Sequence, residues 1–295
     1  MGSEVCLVLH RKSANEPAIK EAVKHVRAQG VDLRVRIPWN KKAKPKVVKE
    51  AIADGAKRVI AGGGDGTINA VVNALVGKGK KLPKVEMGVL PLGTANDFAH
   101  GLGLPCDDLN KCLEIACTAP AKAIDVGRAN KRSFINVTSG GFGAEITATT
   151  PVAMKKALGG GAYTLMGLVK AFGLEPYKGR LVIPGQDPIE GSMLFMAVGN
   201  SRLAGGGFEV APMAKLDDGL LDLAVINHAT GADLMRLSQE LETPDNPDNK
   251  VLRYWQLPEF TIEAEREVHF NLDGEPTTEH KLHFSVLPKH LKVAF

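Results

Sequence analysis

Gly62-Gly63-Gly64-Asp65-Gly66 puts four glycines in five positions, directly after the apolar run Val59-Ile60-Ala61 and before Thr67-Ile68-Asn69. Glycine loses more backbone entropy on folding than any other residue, so such a cluster requires a reason. Glycines let the main chain approach a phosphate closely, and a helix opening behind them adds positive dipole. Two familiar phosphate loops do not fit. No lysine follows Gly66, and Asn69 stands where G-x-G-x-x-G needs its third glycine. Asp65 repels a bare phosphate, so a cation-bound nucleotide suits this loop better than a bare dinucleotide.

Residues 89–105 (VLPLGTANDFAHGLGLP) repeat the plan of strand, tight turn and helix, with Thr94 offering a hydroxyl and Asn96 and Asp97 opening the helix. In a parallel sheet the loops after neighbouring strands meet at one edge, the edge where α/β folds bind ligands. Asp65 and Asp97 then face one cleft, where paired carboxylates call for a metal ion or a shared proton. Taken alone, Asp97 is also an acid well placed at a helix N-terminus.

The elements that position these loops follow from periodicity. Residues 4–9 form a short apolar run, and a helix capped by Asn15, with Pro17 in its first turn, stops at Gly30. Residues 31–37 alternate like a strand, 47–54 are helical, 57–61 and 87–92 are strands, and Ile68, Val71, Val72 and Leu75 recur at helical spacing. This alternation predicts a parallel sheet with right-handed crossovers. From about residue 122 the rhythm changes. AIDVGRANKRSFINV reads as two strands about a polar turn, and MLFMAVGN, LLDLAVIN, FTIEAE, EVHFNLDGEP and KLHFSVL are further strands. Helical pattern is confined there to 151–173 and 231–241. The expectation is an α/β domain over 1–123 and a β-sandwich over 124–288.

The chain has 295 residues, 44% of them hydrophobic and 24% charged, which is globular composition long enough for two cores. No stretch nears the roughly 20 apolar residues of a membrane span, and the opening MGSEVCLVLH does not read as a signal peptide. Cys6, Cys106, Cys112 and Cys117 lack metal-ligand spacing and read as reduced thiols of a cytoplasmic protein. His228, His269, His280 and His283 show no catalytic spacing. Aromatics make up 5% and do not interleave with the basic residues, which excludes a nucleic-acid binder. Residues 1–60 hold 14 Lys and Arg against 6 Asp and Glu, while the whole chain is only +4. That basic face suits phosphates or an anionic membrane, and KKAKPK (41–46) reads equally as a solvated helix start.

Taken together, GGGDGTIN, PLGTANDFA, IDVG (124–127), GNSRLAGGG (199–207), LDDGLLDL (216–223) and NLDGEP (271–276) resemble the diacylglycerol kinase catalytic family, and most of all its bacterial YegS-like lipid kinases. The likeness runs in order over nearly the whole chain. NAD kinases share a GGDGT-type loop and the two-domain plan, but LGTANDF belongs to the lipid kinases. The resemblance implies an NAD-kinase-like α/β domain, a C-terminal β-sandwich, an active cleft between them, and a last strand (289–295) returning to the first domain. By position it puts Gly64, Asp65, Gly66, Thr67, Ile68, Asn69, Ala70 and Thr94 on the ATP phosphates. Asp65, Asp97 and Asp125 would hold a magnesium-water network, and Glu275 would be the catalytic base. Oxygens of Lys215, Asp218 and Leu220 would hold a second, structural magnesium; on the residues alone, oxygen ligands suit magnesium or calcium, and the same acids read as a hairpin entry.

Three positions depart from the family pattern. Ala70 stands where relatives carry Glu, the first loop reads HRKSAN (10–15), and Pro38 offers neither hydroxyl nor amide where relatives offer Thr. Asp273-Gly274 marks a tight turn that thrusts Glu275 out from the β domain, although a Glu after such a turn is commonly just solvated. Residues 151–174, with Met154, Leu158, Tyr163, Leu165, Met166, Leu168, Val169 and Phe172 beside Lys155, Lys156 and Lys170, suit an acyl chain or a membrane surface, or an ordinary helix on a sheet. Gly205–Gly207 read as a flexible lip of the cleft or a bulge cluster. The expected function is transfer of the γ-phosphate of ATP to a lipid hydroxyl by a cytoplasmic enzyme peripheral at the inner membrane surface. An NAD kinase and a catalytically silent lipid- or nucleotide-binding regulator are the rival readings.

Overall fold

The computed structural model describes residues 4–79, 81–141, 176–227 and 233–295. The segment 151–174 and His228 singled out in the sequence lie outside the described residues.

Strands β1 (Val5–Leu9), β2 (Leu33–Arg36), β3 (Arg58–Gly63) and β4 (Glu86–Pro91) form a parallel sheet in the order β2-β1-β3-β4. β1, β3 and β4 are short, largely apolar and buried on both faces, as strands covered by crossover helices must be, whereas β2, LRVR at the sheet edge, buries only Leu33. Helices α1 (Pro17–Ala28), α2 (Lys44–Ala53), α3 (Asp65–Val76), α4 (Asp97–Gly101) and α5 (Leu109–Thr118) complete this half, with α1 packed on α5 and α2 on α3. α1 starts after Glu16, which makes no side-chain cap, one residue later than Asn15 would place it. α2 opens three residues earlier than its apolar pattern suggests, because Pro45 sits in the first turn, where a missing N–H costs nothing.

The strand order places the topological switch point between β1 and β3, and the bond from His10 N to Gly62 O (2.8 Å) closes that crevice. Gly62 pairs with Leu90 and Gly63 with Pro91, so the glycine loop and the 92–96 loop leave the sheet side by side.

The second half is antiparallel: β5 (Ala121–Ala129), β6 (Arg132–Phe134), β7 (Val137–Gly141), β8 (Tyr177–Val182), β9 (Ile189–Met193), β10 (Phe195–Gly199), the hairpin β11 (Leu203–Ala204) and β12 (Phe208–Glu209), β13 (Leu221–Ile226), helix α6 (Leu234–Glu242), β14 (Leu252–Leu257), β15 (Glu259–Leu272) and β16 (Glu275–Ala294). FTIEAE and EVHFNL, read as two strands, are one. The charged run Glu265-Arg266-Glu267 coincides with a bulge between Glu263 and Val268, where β15 passes from pairing with β8 to pairing with β7. Likewise KLHFSVL is the middle of the 20-residue strand β16.

β16 ties the halves together. It pairs first with β15, then with β5, and at Val293 it pairs in parallel with Met87 of β4. Leu291 and Val293 are buried in the first apolar core, among β1, β3 and β4. A second core between the β layers gathers Phe134, Phe260 and Phe284, with Phe260 stacked on Phe284 at 5.1 Å and Phe134 edge-on to it at 6.3 Å. All four cysteines are free thiols.

Candidate active site

The glycine loop turns into α3 at Gly64, an extended N-cap that brings no side-chain acceptor to the first turn. Gly63, Gly64 and Gly93 have steric reasons to be glycine. A Cβ on Gly63 would sit 2.5 Å from Thr67 Oγ1, so Gly63 is what lets the Thr67 side chain fold back beneath the loop. Gly64 faces Gly93 of the second loop. A Cβ on Gly93 would come within 2.6 Å of Gly64 Cα, so the two cradles touch main chain to main chain. Asn96 holds the second loop shut: its Oδ1 accepts from Gly93 N (2.7 Å), its Nδ2 donates to Gly93 O (3.1 Å), and its own backbone takes the left-handed conformation that Asn tolerates. Thr94 stands exposed at the tip.

Asp65 and Asp97 lie close enough for their charges to interact. Asp65 Oδ1 accepts from Phe98 N (3.3 Å), and burial raises its pKa, with the Asp97 charge pushing the same way. Asp97 is buried and accepts from the amides of Gly206 (3.0 and 3.1 Å) and Gly207 (2.7 Å). This resolves the Gly205–Gly207 motif. It is the tip of the β11–β12 hairpin, with all three residues at positive φ, and its amides bind an acid of the first domain. Asp125 sits elsewhere. It lies fully buried opposite the bulge of β16, accepting from Lys289 N and Gly219 N (2.6 Å each), and its charge reaches Asp218. Asp125 thus groups with the 215–220 turn, where Asp218 Oδ1 accepts from Leu220 N (3.0 Å) and Lys215 is exposed.

Glu275 reaches the glycine loop. A Cβ on Gly66 would lie 3.9 Å from Glu275 Oε1. Asp273 and Gly274, with φ of 47° and 89°, form the two-residue turn that aims it there. Asp273 itself has a role that the sequence hid. Its carboxylate accepts from Ile135 N (2.7 Å), Asn136 N (3.1 Å) and Asn69 Nδ2 (2.8 Å), tying α3 to the β domain. Asn69 and Asn73 also donate to Ser133 O (3.1 and 2.9 Å). Ile68 is buried in the first core and Asn69 is engaged in this tie, so contact of either with a phosphate is left to the main chain. Ala70 is half-buried on the same helix.

Burial raises the Asp273 pKa to about 6, against the three donors that favour the charged form. The folded protein therefore holds that proton more tightly than the unfolded chain, whose Asp titrates near 4. The resulting stability is complete below about pH 4 and is lost as pH rises through about 6. We predict that the stability difference between wild type and Asp273→Asn shrinks over that window, by at most about 1.4 kcal/mol per pH unit. Chemical denaturation at pH 4, 5, 6 and 7 measures it; a difference independent of pH refutes it.

The residues present fit a divalent cation at the cleft. Asp65 and Asp97 supply oxygen ligands and a mutual repulsion that a cation would relieve. Among the described residues no three His, Cys, Asp or Glu side chains gather around one point; magnesium takes one or two carboxylates and fills its sphere with phosphate and water.

A glycine cradle at a sheet switch point, faced by a carboxylate from a second domain, defines a phosphotransferase of the kinase type. Comparison with known proteins agrees. Residues 4–129 match the diacylglycerol kinase catalytic domain and residues 136–295 the YegS C-terminal NAD kinase beta sandwich-like domain. A probable lipid kinase YegS-like from Chromohalobacter salexigens is 43% identical over 98% of this chain and 92% of its own length. Another, from Klebsiella pneumoniae, is 42% identical over 97% and 94%. The crystal structure of a putative diacylglycerol kinase from Bacillus anthracis superposes with a TM-score of 0.80 at 21% identity, covering 100% of this chain and 98% of that one, which shows the shared fold. The chain belongs to the diacylglycerol kinase catalytic family, in its YegS-like lipid kinase branch.

Proposed function

We propose that the protein transfers the γ-phosphate of ATP to a hydroxyl of a membrane lipid, with Glu275 as general base and magnesium at Asp65 and Asp97. The observation that carries this is the approach of the Glu275 carboxylate to Gly66, across the boundary between the two halves. An alcohol attacks only as its proton is removed, and a carboxylate beside the phosphate cradle is placed to remove it. Asp125, 0% exposed and bonded to two amides, holds the bulge of β16 and the 216–219 turn in register behind the cleft. Magnesium, when bound, would neutralise phosphate charge. A second ion at Lys215, Asp218 and Leu220 would brace that turn.

Membrane-surface action from the cytoplasmic side is supported by the same sheet edge. Trp39 is 79% exposed and Ile37 46% exposed just past β2, with the Arg11 guanidinium 5.8 Å from the Trp39 ring centre. Residues 33–49 contain no Asp or Glu among their Lys and Arg. An exposed Trp beneath an arginine, in a segment rich in Lys and Arg, suits an anionic lipid surface. Among the described residues no helix is long and apolar enough to cross a membrane.

The test is transfer of label from γ-labelled ATP into a lipid extract, with NAD as a rival acceptor and a chelator added in parallel. We expect a labelled, chloroform-soluble product that chelation abolishes. Labelled NADP in its place would favour an NAD kinase, and the absence of any transfer would favour a silent binding protein.

A further inference from the structure

The first glycine loop has no lysine in its own sequence, yet the fold brings one to it. Lys44, the first residue of α2, is 5% exposed, and its Nζ donates to Thr67 Oγ1 at 2.9 Å. Thr67 is itself 4% exposed and lies in the first turn after the glycines, its side chain tucked over Gly63. The Lys44 charge is felt across the switch point, where it adds to burial in lowering the pKa of His10. At the N-terminal end of α2 a cation opposes the helix dipole, so its placement brings that helix no local gain.

We infer that Lys44 is a positioning residue of the phosphate cradle, acting through the Thr67 hydroxyl. A hydroxyl has one proton to donate and two lone pairs to accept with. An ammonium on one lone pair turns the O–H outward and polarises it, so that Thr67 presents a charge-assisted donor towards a nucleotide phosphate. The lysine of a P-loop follows its own glycines and meets the phosphates as a point charge. Here the charge arrives from a neighbouring helix and from beneath. This inference rests on the kinase reading only for the identity of the ligand, a nucleoside triphosphate.

The experiment is calorimetric titration of the full chain with ATP and, separately, with AMP, in wild type, Lys44→Met, Lys44→Arg, Thr67→Val and the Lys44→Met/Thr67→Val double variant. We expect Lys44→Met to weaken ATP about tenfold, the scale of one charge-assisted bond, with AMP affinity unchanged and Lys44→Arg recovering most of the loss. In the Thr67→Val background Lys44→Met should add nothing, because the route through the hydroxyl is already cut. Equal ATP affinity in wild type and Lys44→Met would overturn the role. So would an equal loss for ATP and AMP, which marks a purely structural lysine, or full additivity in the double variant. Lys44→Gln, which keeps a buried donor without the charge, takes the place of Lys44→Met if that variant does not fold. These readings need no acceptor. A failure to phosphorylate any lipid with the ATP pattern intact would sink the acceptor assignment alone, whereas a wild type that binds neither nucleotide would sink both.

Discussion

Glu275→Gln is expected to give a folded protein that binds ATP as the wild type does and transfers its phosphate about 10²- to 10⁴-fold more slowly. The substitution keeps the shape and length of the side chain but removes its ability to take a proton. The fold should not notice, because the residue that holds this turn in place is Asp273, through bonds to Ile135, Asn136 and Asn69. The split between binding and turnover is the informative part. If Glu275 assists the acceptor only in the transition state, kcat falls while the ATP dissociation constant stays put. Full activity in the variant would remove Glu275 as base, and an equal loss in ATP affinity would reassign it to nucleotide binding. Melting temperature, titration calorimetry and steady-state kinetics on one preparation separate these outcomes.

The second large effect is expected from shape and involves no change of charge. Gly93→Ala should destabilise the protein by about 1–3 kcal/mol, the usual cost of overpacking, and weaken ATP at least tenfold. The new methyl would lie 2.6 Å from Gly64 Cα and 2.8 Å from Asn96 Oδ1. Neither neighbour can yield cheaply: one is the main chain of the glycine loop, and the other grips both the N–H and the C=O of residue 93. The two loops must part, and the cradle they form together is lost. Gly191→Ala is the matched control, because nothing lies within 4 Å of a Cβ there, and it should leave melting and activity unchanged. Wild-type ATP affinity in Gly93→Ala would show that the contact between the loops is dispensable for the nucleotide.

The contrast between these two sites shows what could be read along the chain. Gly93 and Gly64 were visible as glycines in tight turns after apolar runs, and their neighbourhood followed from the rule that parallel strands set their loops at one edge. Glu275 was visible only as the residue after an Asp-Gly turn, a pattern that joins strands in many proteins without any chemistry. Its meaning depended on where β16 lies, and that strand crosses both halves of the molecule. Helix α5 and strands β8, β9 and β14 went unnoticed, since short amphipathic stretches give weak periodicity. The sequence pattern breaks the strand at Arg266, between FTIEAE and EVHFNL, because a bulge exposes charged residues much as a turn does.

By itself the sequence determined the parallel sheet, the two glycine turns at its carboxyl edge and the antiparallel second half, because strand period, helix period and glycine punctuation are local properties of a few neighbouring residues. Tertiary structure alone decided the partners. Asp97 was handed to a glycine hairpin more than a hundred residues away, Asp125 to the bulge of β16 and the 216–219 turn, Asp273 to the tie between the halves, and Lys44 to Thr67. A buried polar group must find a partner wherever the fold supplies one, and which donor reaches it is set by strand order and packing, not by neighbours in the chain.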